Sequence, residues 1–308
     1  MQATAALSGA GVLWSVVASC LFAVIPAYVF WLAPLDGQAI LAWRVVGTLP
    51  AVMVLIYWRG RSAELWAELQ TLRVMPKRLM LIVLATLLMA TQWWLFLWAP
   101  LQGLTLDMSL GYFLLPLTMV LAGRVFYGER LRPLQSLAVA VALLGVAHEL
   151  WLTRAFSWVS LWVALVYPPY FMLRRHLQLQ PLVGLTLEMF ILVPFAVAYL
   201  LWLPNHAAQL WATPALWWLL PGLGVLSAAA FVLYLSASRL LPFGLFGILS
   251  YVEPILIFLM AWLWLGETLT WQSLLTYGPI WLAVLISVVD SVYVLNKQRL
   301  AGLVVAAN

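Results

Sequence analysis

The apolar positions of this chain gather into ten long runs, separated by short breaks rich in charge, proline or glycine. The runs lie at roughly 8–33, 38–58, 79–99, 104–126, 133–152, 156–173, 182–203, 213–238, 242–265 and 270–295. A helix needs about 20 mainly apolar residues to cross the hydrocarbon core of a bilayer, and most of the runs have that length. The clearest breaks are the Arg59–Arg78 stretch, the Gly128-Glu129-Arg130 turn, Arg174-Arg175, Pro204-Asn205-His206 and Gly266-Glu267. The junctions at Pro100 and at Arg239 to Pro242 are tight. The pattern predicts an all-α integral membrane protein of about ten transmembrane helices.

Composition removes the soluble alternatives. Of 308 residues, 66% are hydrophobic and 8% charged, against about 25% charged in a soluble domain. The formal charge of +5 is not a nucleic-acid footprint, because the positives sit in the short gaps between runs, where they act as topology signals. With the N-terminus in the cytoplasm, thirteen of the 15 Lys and Arg residues fall in cytoplasmic loops. Arg154 falls outside and Arg44 within a span. Both termini are therefore expected in the cytoplasm. Tryptophans near span ends, such as Trp31, Trp58, Trp151, Trp202, Trp211 and Trp271, fit an interfacial belt. The single cysteine, Cys20, excludes an intrachain disulfide. Val17-Ala18-Ser19-Cys20 looks like a lipoprotein cleavage site, but no Lys or Arg precedes it and the apolar run continues to Ala33, so an uncleaved span is expected.

The two halves echo one another. Pro116 precedes Gly128-Glu129 by the interval at which Pro254 precedes Gly266-Glu267, an offset of 138 residues. Pro26-Ala27-Tyr28 matches Pro168-Pro169-Tyr170 at an offset of 142, and Arg44 to Pro50 matches Glu188 to Pro194 at an offset of 144. Five spans per half is an odd number, so the second half must cross the membrane upside down. Inverted repeats are frequent in secondary transporters, with the substrate site near mid-depth.

Trp94-Leu95-Phe96-Leu97-Trp98-Ala99, Ser109-Leu110-Gly111-Tyr112-Phe113, Pro116 and Gly128-Glu129-Arg130 together resemble the RarD group of EamA-type proteins, in the drug/metabolite transporter superfamily. Arg44-Val45, Glu188 with Pro194, Tyr251 to Pro254, Gly266-Glu267, and Asp290 with Tyr293 extend the resemblance over nearly the whole chain. It implies a bacterial inner-membrane (plasma-membrane) permease with two EamA repeats, 1–152 and 153–308. The chain departs from the group's pattern at four places. Gln92 and Leu115 stand where asparagines are expected, Trp43 where a histidine is, and Phe30 where a basic residue is. The polarity of the pocket is expected to differ accordingly.

Ionisable groups inside spans are costly and face a cavity or a partner. Arg44 lies about 9 Å inside the outer end of span two. It is suited to an anionic substrate group, to pairing with Asp107, or to snorkelling toward the interface. Glu253, directly before Pro254 in the middle of span nine, is suited to a coupling proton, a cationic group or a hydrogen bond between helices. Glu188 lies about two turns from the cytoplasmic end of span seven, and Glu149 and Asp290 nearer still to water; these read as structural. Asp107 also fits as an acid in the first turn of a helix. Pro116 and Pro254 free the carbonyls of Tyr112 and Ser250, so with Pro26 and Pro168 they are candidate kinks or hinges. Gln92, Trp94, Tyr112 and Tyr251 complete a candidate lining for an organic solute, or else pack helices together.

His148-Glu149 begins like a zinc-protease motif, but Leu152 stands where the second histidine would be. No phosphate-binding Gly-Lys-Ser loop is present. No enzyme, metal or cofactor is expected, proton coupling aside. The expected protein is a secondary active or facilitative transporter, an exporter of a small organic metabolite or drug by alternating access. The alternative is a lipid flippase or scramblase. Expected partners are the solute and membrane lipids, not nucleic acid, with the chain acting as a monomer or homodimer.

Overall fold

Apolar, proline-punctuated runs become helices. The computed structural model describes residues 8–102, 104–153, 157–204, 206–256, 259 and 271–307. These residues contain no β-strand. The helices are α1 (Gly9–Val29, followed by a 3-10 turn, Phe30–Leu32), α2 (Gly37–Trp58), α3 (Ser62–Val74), α4 (Pro76–Leu101), α5 (Thr105–Tyr127) and α6 (Pro133–Thr153). They continue with α7 (Trp158–His176), α8 (Pro181–Trp202), α9 (His206–Ala212), α10 (Leu216–Leu240), α11 (Phe243–Leu249) and α12 (Trp271–Ala307). Among the described residues, eight helices are long and apolar enough to cross a membrane, those over α1, α2, α4, α5, α6, α8, α10 and α12. Arg154, Asn205 and Gly266-Glu267, named above as breaks or loop residues, lie outside the described residues.

The structure departs from the sequence reading in four places. The Arg59–Arg78 break contains a helix, α3, because Ser62–Val74 is rich in Leu, Glu, Ala and Gln, all good helix formers. The last helix runs on past residue 295 to Ala307, since nothing in Asn296-Lys297-Gln298-Arg299 breaks it. The ninth run is not a single kinked helix. Its described part, Phe243–Leu256, is interrupted by a turn at Ser250-Tyr251. Pro254, which cannot donate to Ser250 O, lies just after that turn, whereas Pro116 lies inside the continuous α5. Finally, Arg174 is not a loop charge. It occupies the last turn of α7 and is 5% exposed.

Helix starts recur along the chain. α2 and α8 are each 22 residues long and lie 144 apart (37 to 181, 58 to 202), both ending on tryptophan. α5 and α11 start 138 apart (105 to 243).

The chain divides into two compact units that do not follow the sequence halves. Unit 1 comprises 1–20, 106–164 and 236–308, and unit 2 comprises 21–105 and 165–235. In unit 1, α6 packs along α12 around a core that includes Leu110, Phe113, Ala142, Val146, Tyr251 and Ile280. In unit 2, α2 packs along α8, and Leu32, Ala39, Ile40, Leu216, Leu220 and Leu223 form a core.

One turn in unit 1 explains the Gly128-Glu129 pair. Gly128 has φ +63°, the left-handed conformation that ends a helix and that glycine adopts without penalty. Glu129 N–H then donates to Gly123 O at 3.1 Å. The turn delivers the Glu129 carboxylate to the start of α11, where it accepts from Phe243 N at 2.6 Å and Gly244 N at 2.8 Å. Pro242 precedes that helix, so a carboxylate supplied from another segment satisfies N–H groups that would otherwise lack partners.

Candidate functional site

Among the described residues of unit 2, two arginines lie over aromatic rings. The first is Arg44 on α2, half-buried. Its position follows from a glycine contact one turn away. Gly47 and Gly224 bring the backbones of α2 and α10 together, and a Cβ added at Gly47 would meet Gly224 Cα at 3.2 Å. Small residues permit such close approach between membrane helices. Three residues back on α2 and three on along α10, Arg44 Nε donates to Ser227 Oγ at 3.0 Å. The guanidinium lies 5.5 Å from the ring centre of Trp93 and 5.3 Å from that of Phe231. Those rings touch each other, with centres 5.0 Å apart. An aromatic face over a guanidinium is worth about 0.5–2 kcal/mol, more as water is removed. It offsets part of the roughly 2.5–3.5 kcal/mol that an arginine costs at mid-bilayer.

The aromatic cluster continues through unit 2. Phe231 meets Phe22 at 5.0 Å, Phe22 meets Tyr234 at 5.6 Å, Tyr234 meets Phe171 at 5.6 Å, and Phe171 meets Tyr170 at 5.0 Å. The cluster reaches the second arginine, Arg174, whose guanidinium lies 5.8 Å from the Tyr170 ring centre. Arg174 forms an ion pair with Glu188 of α8 and donates to Pro181 O at 3.2 Å. Tyr170 Oη donates to Glu188 Oε2 at 3.2 Å. Glu188 is 3% exposed and Tyr170 1%. Charge, counter-charge and hydroxyl thus close on one another.

The other residues singled out from the sequence are dispersed. Gln92 is 1% exposed on α4. Trp94 stacks on Trp98 at 5.1 Å and is 46% exposed; its neighbour Trp93 meets Arg44 instead. In unit 1, Asp107 lies in the first turn of α5, where its backbone oxygen accepts from Ser160 Oγ at 2.6 Å. Tyr112 and Glu253 are half-buried. Tyr251 is 1% exposed, and its hydroxyl donates to Phe113 O at 2.7 Å, joining positions 138 residues apart. Pro116 and Pro168 are buried, and Pro26 and Pro254 half-buried. His148 Nδ1 and Glu149 Oε2 both meet Thr276 Oγ1, each at 2.9 Å. Asp290 pairs with Arg132 at 2.6 Å. Among the described residues, no group of His, Cys, Asp and Glu could hold a metal.

Sequence reasoning missed Ser227, Phe231, Tyr170 and Arg174. For Arg174 a signal existed, since Glu188 two turns into the next helix calls for a cation, and an arginine ending the preceding helix can supply it. Ser227 and Phe231 lie in an apolar run with nothing to distinguish them.

Comparison with known proteins accords with this architecture. Residues 150–289 match the EamA-like transporter family. The chain is 54% identical to the chloramphenicol-sensitive protein RarD of Pseudomonas aeruginosa, covering 96% of this chain and 99% of that one. It is 36% identical to an uncharacterized transporter of Haemophilus influenzae, covering 94% and 96%, and 30% identical to protein RarD of Salmonella typhi, covering 94% and 97%. A crystal structure 19% identical in sequence shares the fold, with a TM-score of 0.67 over 91% of this chain and 97% of that one. Similarity over nearly its whole length places this chain in the RarD-like group of the EamA-like transporter family, membrane transporters rather than enzymes.

Proposed function

We propose that this chain exports a small organic solute bearing an anionic group across the bacterial inner membrane, as a secondary transporter with both termini in the cytoplasm. Two inverted five-helix repeats, 1–152 and 153–308, alternate access to the solute. The eight long apolar helices, with α7 and the Phe243–Leu256 segment, make up the ten spans. The recurrence of helix starts at 144 and 138 residues supports the repeat. So does the packing of α2 along α8 and of α6 along α12, since each pair joins a helix to its repeat counterpart.

The observation that carries the reading is Arg44, an arginine within a span whose guanidinium is held by Ser227 Oγ and framed by Trp93 and Phe231. An arginine stays charged at every physiological pH. Rings and a hydroxyl aim the guanidinium, and a permanently charged group so placed suits an anionic part of a solute. Glu253, half-buried beyond the Ser250-Tyr251 turn, is the proposed coupling carboxylate.

The test is flux in proteoliposomes, first with wild-type protein on a panel of organic anions, cations and neutral solutes. Transport should favour anions. Arg44→Gln should lower kcat/KM at least tenfold, Arg44→Lys should restore part of it, and Glu253→Gln should abolish pH-driven uphill flux. Wild-type rates and pH profile in both Gln variants would move the site elsewhere.

A further inference from the structure

The end of unit 2 that carries α3 presents a different chemistry. α3 has 13 residues, about 20 Å, too short to cross a bilayer, and it joins the spans α2 and α4. Leu65 and Leu72, seven residues apart, are buried against the unit, while Trp66 is 57% exposed, as expected of an aromatic at the bilayer interface. The two acids of α3 are committed to local partners. Glu64 pairs with Arg61 at 2.8 Å and Glu68 with Arg78 at 2.5 Å. Exposed positive charge around α3 sits on Arg59, Arg73 and Lys77, of which Arg73 and Lys77 flank the turn into α4.

Two hollows are built on the turn between α3 and α4. One, of about 230 Å³, is lined by Met75, Lys77, Arg78, Leu81, His176 and Leu177. The other, of about 290 Å³, is lined by Trp66, Leu69, Gln70, Leu72, Arg73 and Leu79. Arg78 forms a fixed wall of the first, tied to Glu68 and donating to Leu177 O at 3.0 Å. The first hollow is basic and the second mainly apolar, and a single residue, Met75, separates α3 from α4 between them.

We infer that these hollows bind one anionic phospholipid, its headgroup phosphate among Arg73, Lys77 and Arg78 of their lining and an acyl chain along Trp66, Leu69 and Leu79. Basic hollows at the ends of membrane helices suit anionic headgroups, and each Lys or Arg near the bilayer surface adds about fivefold to the attraction. A free phosphate would use only the basic hollow and a neutral lipid only the apolar one. The adjoining pair fits a ligand with both parts. The inference does not depend on the transport reading, because it concerns a different face and can be tested without flux.

The test is native mass spectrometry of the full chain in detergent, exchanged against dioleoyl phosphatidylglycerol or dioleoyl phosphatidylcholine. Wild-type protein should retain the phosphatidylglycerol selectively. The double variant Arg73→Gln with Lys77→Gln should retain it about 25-fold less. Both side chains are exposed, and a monodisperse elution profile checks the fold. Arg124→Gln, which removes a basic residue of unit 1, should change nothing. Leu69→Gln should weaken the dioleoyl lipid but not dihexanoyl phosphatidylglycerol, whose chains are too short for the groove. Equal retention of the two dioleoyl lipids overturns the inference. So does equal loss in Arg124→Gln, indifference to Leu69→Gln, or displacement of the lipid by millimolar inorganic phosphate.

Discussion

Arg44 and Glu188 occupy the same register on matching helices. Each is the eighth residue of a 22-residue helix, and the helices lie 144 residues apart. Their surroundings differ. Glu188 is sealed against Arg174 and Tyr170, while Arg44 is half-buried and held by two rings and a serine. A charge cancelled in place by an opposite charge acts as a strut between helices. A guanidinium that packs on rings and a serine hydroxyl is aimed by them. Intramembrane charges in this chain therefore divide by what they meet rather than by depth.

The sharpest way to break this comparison is to remove the strut. Removing one member of a buried ion pair leaves an uncompensated charge and costs about 3–5 kcal/mol, whereas replacing both with apolar residues is often neutral. Glu188→Leu should therefore lower thermal stability in detergent severely. Glu188→Leu with Arg174→Leu should return it close to wild type and retain flux. A stable double variant without flux would transfer Glu188 from the structural to the transporting side of the comparison.

A smaller effect should follow from separating α2 and α10. An added Cβ at Gly224 would press into the backbone of Gly47, and backbone cannot rotate away as a side chain can. Overpacking of this kind costs about 1–3 kcal/mol. Gly224→Ala should also spread the two helices and pull Ser227 from Arg44, so KM should rise further than the stability loss accounts for. Stability lost with KM unchanged would mean that the glycine contact does not position the arginine.

The helical membrane fold was legible because the bilayer demands long apolar runs and satisfied backbone. The 138- and 144-residue offsets were legible because proline, glycine and charge are rare enough in such runs to serve as markers. Arg44 was legible for the same reason. Its neighbours were not, since Phe231 in Ala229-Ala230-Phe231-Val232 resembles any lipid-facing phenylalanine. Only the Gly47–Gly224 contact selects it. Arg174 was misplaced because an Arg-Arg pair at the end of an apolar run ordinarily signals a loop, and the carboxylate that draws it inward is 14 residues further along the chain. Glu129 was read as part of a turn, since the helix start that it caps lies 114 residues away.

The smallest expected effects come from removing one hydroxyl at each charge, and the two should appear in different measurements. Ser227→Ala deletes the acceptor for Arg44 Nε, and Tyr170→Phe deletes a donor to Glu188. A hydrogen bond to a charged group contributes about 1.5–3 kcal/mol in soluble proteins, but interhelical bonds in membranes average about 0.6 kcal/mol. An effect of about 1 kcal/mol is therefore expected at each site. At the strut it should appear as stability, so Tyr170→Phe should unfold more easily and transport with unchanged KM. At the arginine it should appear as substrate recognition. The Ser227 hydroxyl aims the guanidinium, so Ser227→Ala should raise KM about fivefold, which corresponds to that energy, while stability stays within about 0.5 kcal/mol of wild type. Measuring unfolding and flux on both variants separates the roles. If Tyr170→Phe shifts KM while Ser227→Ala shifts only stability, the assignments are reversed, and the Arg174–Glu188 pair becomes the place where solute is met.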